Sequence, residues 1–309
     1  MGMTTDERYM NRCVQLARCG RNGSRPNPMV GAAIVASDGR IIGEGFHRKC
    51  GEAHAEVNAF ASVREESLLP EATIYVSLEP CAHHGKTPPC ADLIIKKGVR
   101  RVVIGCVDTF SAVQGRGIER LQKAGIEVTT GVLEAECRWL NRRFFTFHEQ
   151  HRPYIILKWA QTANGLLDHD GRAVPISSPL TQMFVHRLRA QEDAIVVGNI
   201  TNLREHPQLT VRHWSGRNPR RFVLSKDNPI GKILETCRQE QLQSLIVEGG
   251  RQALQAFIDA GLYDEVRVET ATTLCIPSGT PAPALPSDLQ RYQKKVFDNQ
   301  VIERYIRQK

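Results

Sequence analysis

The sequence predicts an α/β protein of two domains. Three observations carry this. Apolar runs of strand length alternate with stretches of helical period along most of the chain. The length, 309 residues, suits two domains of ordinary size. Midway, the polar stretch Gln150-His151-Arg152-Pro153 separates a helical segment from a fresh series of strands, so the chain divides at 1–149 and 150–309.

The first domain opens with Met10, Val14 and Leu16-Ala17 at helical spacing, giving a helix over Thr5 to Cys19 with Thr5 or Asp6 as its cap and Gly20 as its stop. Pro26-Asn27-Pro28 is a rigid turn, and its Asn either serves the turn alone or reads the edge of a heterocycle. Val30 to Val35 and Ile41 to Gly45 flank the hairpin signal Asp38-Gly39. A helix opens at Glu52 and carries His54 and Glu56 in its first turn. Thr73 to Leu78 is a buried-type strand, Cys90 to Lys97 a helix and Val99 to Val107 the next strand. Gly115-Arg116-Gly117 opens a helix to Gly125, Ile126 to Val128 is a short strand, and Leu133 to Phe147 is helical.

In the second domain, strands are expected at Tyr154 to Ala160, Ala194 to Gly198, Arg221 to Leu224, Ser244 to Glu248 and Glu265 to Val268. Helices are expected over Pro179 to Ala190 and Gln252 to Ala260, and Pro277 to Pro286 is a loop. Glu248-Gly249-Gly250 joins a strand to a helix. It is either a structural turn or a place where a phosphate approaches bare backbone, and it is not the Gly-x-Gly-x-x-Gly fingerprint.

The chemistry concentrates between His54 and Cys90. One imidazole and two thiols, His54, Cys81 and Cys90, make three ligands for a tetrahedral zinc ion and leave a fourth position for water, as catalytic zinc requires. Glu56 stands two residues past His54. Mid-helix the two would point apart, but in a first turn both reach a group placed off the helix N-terminus. His-x-Glu followed by Pro-Cys-x-x-Cys marks zinc nucleobase deaminases. Here Ala82 to Pro89 lengthen the gap between the cysteines.

Bulk properties narrow the class. The composition, 41% hydrophobic and 24% charged, is globular, and no run approaches the roughly 20 apolar residues of a membrane span. The polar start, Met1 to Arg12, lacks the apolar core of a secretory signal, so a cytoplasmic location is expected. The net charge of +8 favours an anionic partner. The basic residues are scattered, so small phosphate esters fit better than nucleic acid. Nine cysteines in a reducing compartment are free thiols or ligands. Cys13, Cys19, Cys50, Cys106, Cys137, Cys237 and Cys275, outside the metal motif, are expected to be buried or half-buried.

Several segments in fixed order resemble one family. Arg25 to Gly31, Gly51 to Glu56 and Leu78 to Cys90 resemble the deaminase half of the bifunctional RibD family of riboflavin synthesis. Pro175-Ile176-Ser177-Ser178, His186 to Ala190, Asp193 to Gly198, Leu209 to Arg212 and Ser244 to Gly250 resemble its reductase half. The resemblance implies a cytidine-deaminase-like α/β/α first domain and a dihydrofolate-reductase-like α/β second domain. It implies zinc-dependent hydrolysis of an amino group from 2,5-diamino-6-ribosylamino-4(3H)-pyrimidinone 5′-phosphate, then reduction of the ribosyl group to ribityl by NADPH. Glu56 would move the protons. Asn27 and Glu79 would hold the ring, and His83, Lys86 and Thr87 the ribose phosphate. In the second domain Arg189, Leu209, Arg212 and Glu248 would contact substrate. Ala160, Pro175, Thr201, Glu205, Gly250, Arg251, Gln252 and Ala253 would contact NADPH. A homo-oligomer is the family's usual state.

The chain departs from the family's usual residues at Asn164, at Pro175 where a Trp is usual, at Glu205-His206 and at Thr109-Phe110-Ser111, and it is shorter between Asp227 and Gln243. Those departures frame one alternative, an active deaminase carrying a degenerate reductase domain. A tRNA adenosine deaminase-like enzyme is another. A zinc-stabilised scaffold is a third, and it would need a fourth protein ligand such as His83 or His84.

Overall fold

Helix and strand alternate through both halves of the computed structural model, which describes residues 2–82, 88–109 and 115–308. The chain folds into two compact units, Met1–Gln150 and His151–Lys309.

In the first unit, α1 (Thr5–Cys19) buries Met10, Cys13, Val14 and Ala17, a stripe at helical spacing. Its cap is Thr4, not Thr5 or Asp6. Thr4 and Glu7 form a reciprocal capping box, each side chain accepting from the other's backbone N–H. The hairpin β1 (Gly31–Val35) and β2 (Ile41–Phe46) follows. Next come α2 (Ala55–Ala61), a 3₁₀ turn at Glu66–Glu71, β3 (Thr73–Leu78), α3 (Cys90–Lys97), β4 (Arg101–Cys106), α4 (Arg116–Lys123) and β5 (Glu127–Thr130). The sheet order is β2-β1-β3-β4-β5, antiparallel through β1 and parallel from β3 onward. Apolar clusters line both faces of this sheet, one against α2, α3 and α4 and the other against α1 and the C-terminal helices.

The single helix expected over Leu133 to Phe147 is two, α5 (Glu134–Leu140) and α6 (Arg142–Gln150). The break falls at Asn141. Its buried amide accepts from the Met29 backbone N–H at 2.8 Å and donates to the Met29 carbonyl at 2.9 Å. A side-chain amide that pairs with distant backbone competes with its own helix. Here it ties down the loop that follows Asn27.

The second unit adds β6 (Tyr154–Thr162), α7 (Pro179–Gln191), β7 (Ala194–Gly198), α8 (Asn199–Glu205), β8 (Arg220–Leu224), α9 (Ile230–Gln239), β9 (Ser244–Glu248), α10 (Arg251–Asp259), β10 (Glu265–Ala271), β11 (Leu289–Phe297) and β12 (Gln300–Arg307). Its seven strands run in the order β11-β12-β10-β6-β9-β7-β8. The five core strands are parallel, and β11 and β12 form an antiparallel hairpin beside β10. Helices α8 and α9 and the hairpin were not foreseen. β11, Leu-Gln-Arg-Tyr-Gln-Lys-Lys-Val-Phe, is largely exposed and carries no alternating apolar pattern to betray it. The short stretch between Asp227 and Gln243 holds α9, which leads directly to β9.

The expectation that the seven remaining cysteines are buried fails for three. Cys19, Cys50 and Cys275 are exposed, whereas Cys13, Cys106, Cys137 and Cys237 are buried. Cysteine packs as a small hydrophobe only where an apolar cluster receives it, and these three lie at a helix end or in loops.

Candidate metal centre and reductase cleft

His54 does not lie inside a helix that begins at Glu52. It is the N-cap of α2, in extended conformation at φ −70° and ψ 168°, and its ring makes no capping bond. That leaves the imidazole free for other ligands while Glu56 enters the first turn. β2 lets α2 approach closely because Gly45 has no side chain. A Cβ there would fall 2.3 Å from the Ala59 backbone nitrogen.

β3 delivers Cys81 just past its C-terminal end, and Cys90 begins α3. The Cys90 backbone N–H donates to Cys81 Sγ at 3.3 Å. His54 Nδ1 lies 3.6 Å from Cys81 Sγ and 3.3 Å from Cys90 Sγ, and the three ligand atoms fall within 4.8 Å of one another. Zinc–sulfur and zinc–nitrogen bonds at tetrahedral angles separate such donors by about 3.5 Å. The donor set therefore fits zinc in both chemistry and spacing. Among the described residues no fourth protein ligand joins them.

The metal-free electrostatics fit as well. Cys81 is pulled down to about 4, first by the Cys90 thiol that donates to it and also by His54. Cys90 is pushed up by the Cys81 thiolate beside it and by burial. His54 is raised, chiefly by its bond to Cys81. Glu56 is buried, and desolvation followed by the charge on Cys81 pushes its carboxyl up to about 7.

Glu79 is placed differently from the expectation of a ring contact. Its oxygens accept from four backbone N–H groups, those of Gly117 at 2.9 Å, Gly115 at 3.0 Å, Asp108 at 3.3 Å and Ile118 at 3.4 Å. The carboxylate thus anchors the start of α4, where a negative charge is favoured. Gly117 allows the close fit, since a Cβ there would sit 2.1 Å from the Pro80 carbonyl oxygen. Asn27 Nδ2 bonds His47 Nε2 at 3.2 Å. His47 is a site residue that the sequence reading missed. It is buried, its Nδ1 bonds the Ala53 carbonyl at 3.1 Å, and its ring meets that of His54 edge-on at 5.3 Å. Burial lowers its pKa, which favours the neutral ring. The signal lay in its place seven residues before His54, just past the end of β2. His83, Lys86 and Thr87 lie outside the described residues.

In the second unit a cleft of about 710 Å³ opens over the C-terminal ends of β6, β7, β8 and β9, where parallel α/β sheets place ligands. It gathers Ala160, Arg189, Thr201, Glu205, Leu209, Glu248, Gly250, Arg251, Gln252 and Ala253. Pro175 and Arg212 are exposed and do not line it. The Arg212 guanidinium instead bonds Gln208 at 2.7 Å and Thr210 at 3.4 Å. The cleft carries five basic side chains, Lys158, Arg189, Arg204, Lys226 and Arg251, against Asp168, Glu205 and Glu248. That balance suits phosphorylated ligands.

Arg189 grips Glu248 through both fork nitrogens, at 3.0 and 2.8 Å, and also donates to the Thr210 carbonyl at 3.3 Å. Burial opposes the Glu248 charge, but Arg189 and Lys158 outweigh it and hold the carboxyl below its usual range. Lys158 is lowered, chiefly by burial. A lysine inside the apolar run Ile155-Ile156-Leu157-Lys158-Trp159 was the sequence signal that the reading passed over. The Gly250 N–H donates to Thr201 Oγ1 at 3.2 Å, which joins α8 to the start of α10.

Comparisons with known proteins agree with both halves. Residues 3–106 match the model for the cytidine and deoxycytidylate deaminase zinc-binding region, and residues 153–232 match the RibD C-terminal domain. The chain is 36% identical to the riboflavin biosynthesis protein RibD of Aquifex aeolicus, over 85% of this chain and 86% of that one. It is 37% identical to the Escherichia coli RibD, over 87% and 88%. The crystal structure of a diaminohydroxyphosphoribosylaminopyrimidine deaminase/5-amino-6-(5-phosphoribosylamino)uracil reductase from Thermotoga maritima superposes with a TM-score of 0.88 at 33% identity, covering 98% of this chain and 99% of that one. Acinetobacter baumannii RibD gives 0.88 at 29% identity over 99% of each.

Proposed function

This chain belongs to the RibD family, the bifunctional deaminase and reductase proteins of riboflavin biosynthesis, and on that premise we propose how its residues divide the work. The first unit removes an amino group from 2,5-diamino-6-ribosylamino-4(3H)-pyrimidinone 5′-phosphate by hydrolysis. The second reduces the ribosyl group of the product to ribityl. The observation that carries the reading is the buried carboxyl of Glu56 beside three ligand atoms, from His54, Cys81 and Cys90, that lie within 4.8 Å of one another.

His54, Cys81 and Cys90 hold the zinc ion. Bound there, zinc would supply Lewis acidity for activating water. Glu56 accepts a proton from the attacking water and returns it to the departing amino group, so the ring gains a carbonyl and ammonia leaves. Asn27 faces the ring. Glu79 keeps the start of α4 in register with the Pro80-Cys81 turn.

In the second unit NADPH supplies the hydride. Ala160, Thr201, Glu205 and the stretch Gly250 to Ala253 line its side of the cleft. Arg189, Leu209 and Glu248 line the substrate side, and Arg212 reaches a phosphate from the rim. Arg189 orders Glu248, and Lys158 adds a buried positive charge beside it. The five basic groups of the cleft favour the formed-reductase reading over a degenerate domain. Among the described residues no helix is long and apolar enough to cross a membrane. We propose a cytoplasmic homo-oligomer that acts on small phosphorylated pyrimidines and not on nucleic acid.

Two assays on one zinc-replete sample test this. Ammonia release from the diaminopyrimidine ribosyl phosphate is expected, as is NADPH oxidation on adding the deaminated product. Release of ammonia without NADPH oxidation restores the degenerate-domain alternative. Absence of ammonia release from the zinc-loaded protein defeats the deaminase assignment.

A further inference from the structure

We infer that His47 is a positioning residue that fixes which end of the Asn27 amide faces the substrate, so that Asn27 presents its carbonyl oxygen to an N–H-bearing edge of the pyrimidine. The inference rests on the deaminase reading above, with Asn27 toward the ring.

The argument is one of donors and acceptors. The Ala53 carbonyl, 3.1 Å from His47 Nδ1, can only accept, so Nδ1 carries the hydrogen. Nε2 faces the Asn27 Nδ2 at 3.2 Å, and an NH₂ group can only donate, so Nε2 is the bare acceptor. The Asn27 amide thus meets the imidazole with its NH₂ group, the end that donates. Oδ1 is left to face elsewhere, and among the described residues no hydrogen bond takes it up. An isolated amide could turn over and present NH₂ instead; this one is keyed by the imidazole.

The key itself is held on every side. The Ala53 carbonyl also accepts from Asn58 Nδ2 at 3.2 Å, and the same nitrogen donates to the Phe46 carbonyl at 2.9 Å. The His47 backbone N–H donates to the Val30 carbonyl at 3.0 Å. Asn141 clamps Met29, two residues from Asn27. The edge-on contact with His54, 5.3 Å between ring centres, sets the keyed amide beside the metal ligands.

The chemical consequence is selectivity. An acceptor at this point favours a ring edge that offers an amino group or a lactam N–H. It disfavours a ring that offers a carbonyl or a bare nitrogen there, because two acceptors then face each other.

The test uses the full-length zinc-loaded protein and four variants: His47→Leu, His47→Gln, Asn27→Ala and the His47→Leu/Asn27→Ala double. KM and kcat for ammonia release, zinc content and NADPH oxidation are measured for each. His47→Leu is expected to lower kcat/KM about 10- to 100-fold, mostly through KM, with zinc content and NADPH oxidation unchanged. Gln can donate to Ala53 through its nitrogen and accept from Asn27 through its oxygen, so His47→Gln is expected to restore most of the loss. The double variant is expected to match Asn27→Ala alone. The positioning role is overturned by a His47→Leu variant that behaves as the parent or loses zinc, or by a double variant that loses activity beyond Asn27→Ala. A zinc-loaded parent that releases no ammonia takes down the deaminase reading and this inference together. An active parent with an indifferent His47→Leu takes down the inference alone.

Discussion

Glu56 in the first unit and Glu248 in the second are both buried, yet their carboxyls shift in opposite senses. Desolvation is the largest influence on each and raises both. At Glu56 the neighbouring Cys81 thiolate adds to it, and His54 does not offset the sum. At Glu248 the Arg189 fork and Lys158 overcome it. The difference teaches that burial alone does not decide ionisation; the neighbouring charge does. At one site burial and a neighbouring thiolate favour the protonated carboxyl. The other keeps a fixed anion that holds an arginine in place.

The strongest way to break this comparison is at Glu56. Glu56→Gln keeps the shape and removes the proton carrier, so ammonia release should fall about 10²- to 10⁴-fold while NADPH oxidation continues. Zinc removal by a chelator should give the same split, with activity restored by zinc. Loss of both activities in either case would show that the two chemistries are not separable by site.

Arg189→Met strikes the other half. It leaves Glu248 buried without its main cation, at a cost of about 3–5 kcal/mol, read as a lowered urea midpoint for the second unit. The pH dependence gives the sign. Glu248 is held below its ordinary value of 4.5 in the folded protein. Its ionised form therefore contributes stability that is fully present above about 4.5 and is lost as pH falls through the lowered folded value. The gap between parent and Arg189→Met should hold from pH 7 to about 4.5 and narrow as pH falls below it. A constant gap would mean that the charge on Glu248 is not what Arg189 offsets.

Two smaller effects sharpen the picture. Glu79→Gln turns one acceptor into a donor facing backbone N–H groups and should cost the first unit about 1–3 kcal/mol. Thr4→Ala removes the capping box of α1 and should cost about 1 kcal/mol, seen in thermal unfolding, without changing either KM. A Thr4 effect larger than that at Glu79 would reverse the ranking of buried over exposed polar contacts.

Much of the site was legible because its chemistry is written in short segments. His54, Glu56, Cys81 and Cys90 are few in sequence and belong to residue types that seldom occur together without a metal. The fold adds only their approach, His54 at an N-cap, Cys81 past a strand and Cys90 at a helix start. The cleft of the second unit was legible in part. Ala160, Arg189, Leu209 and Glu248 come from a strand, a helix, a loop and another strand and meet only in the cleft over the strand ends, whereas Arg212, three residues past Leu209, does not line it.

The sequence by itself pointed to the two-domain α/β plan and to the residues proposed as metal ligands and proton carrier, because periodicity and ligand chemistry are local. Tertiary structure alone decided the rest. It joined His47 to Asn27, turned Glu79 toward the backbone of α4, broke a helix at Asn141 and buried Lys158 beside Glu248. Each of these is a polar group whose partner lies at least 20 residues away. What such a group does depends on the partner it meets when water is excluded, and no local pattern encodes that meeting.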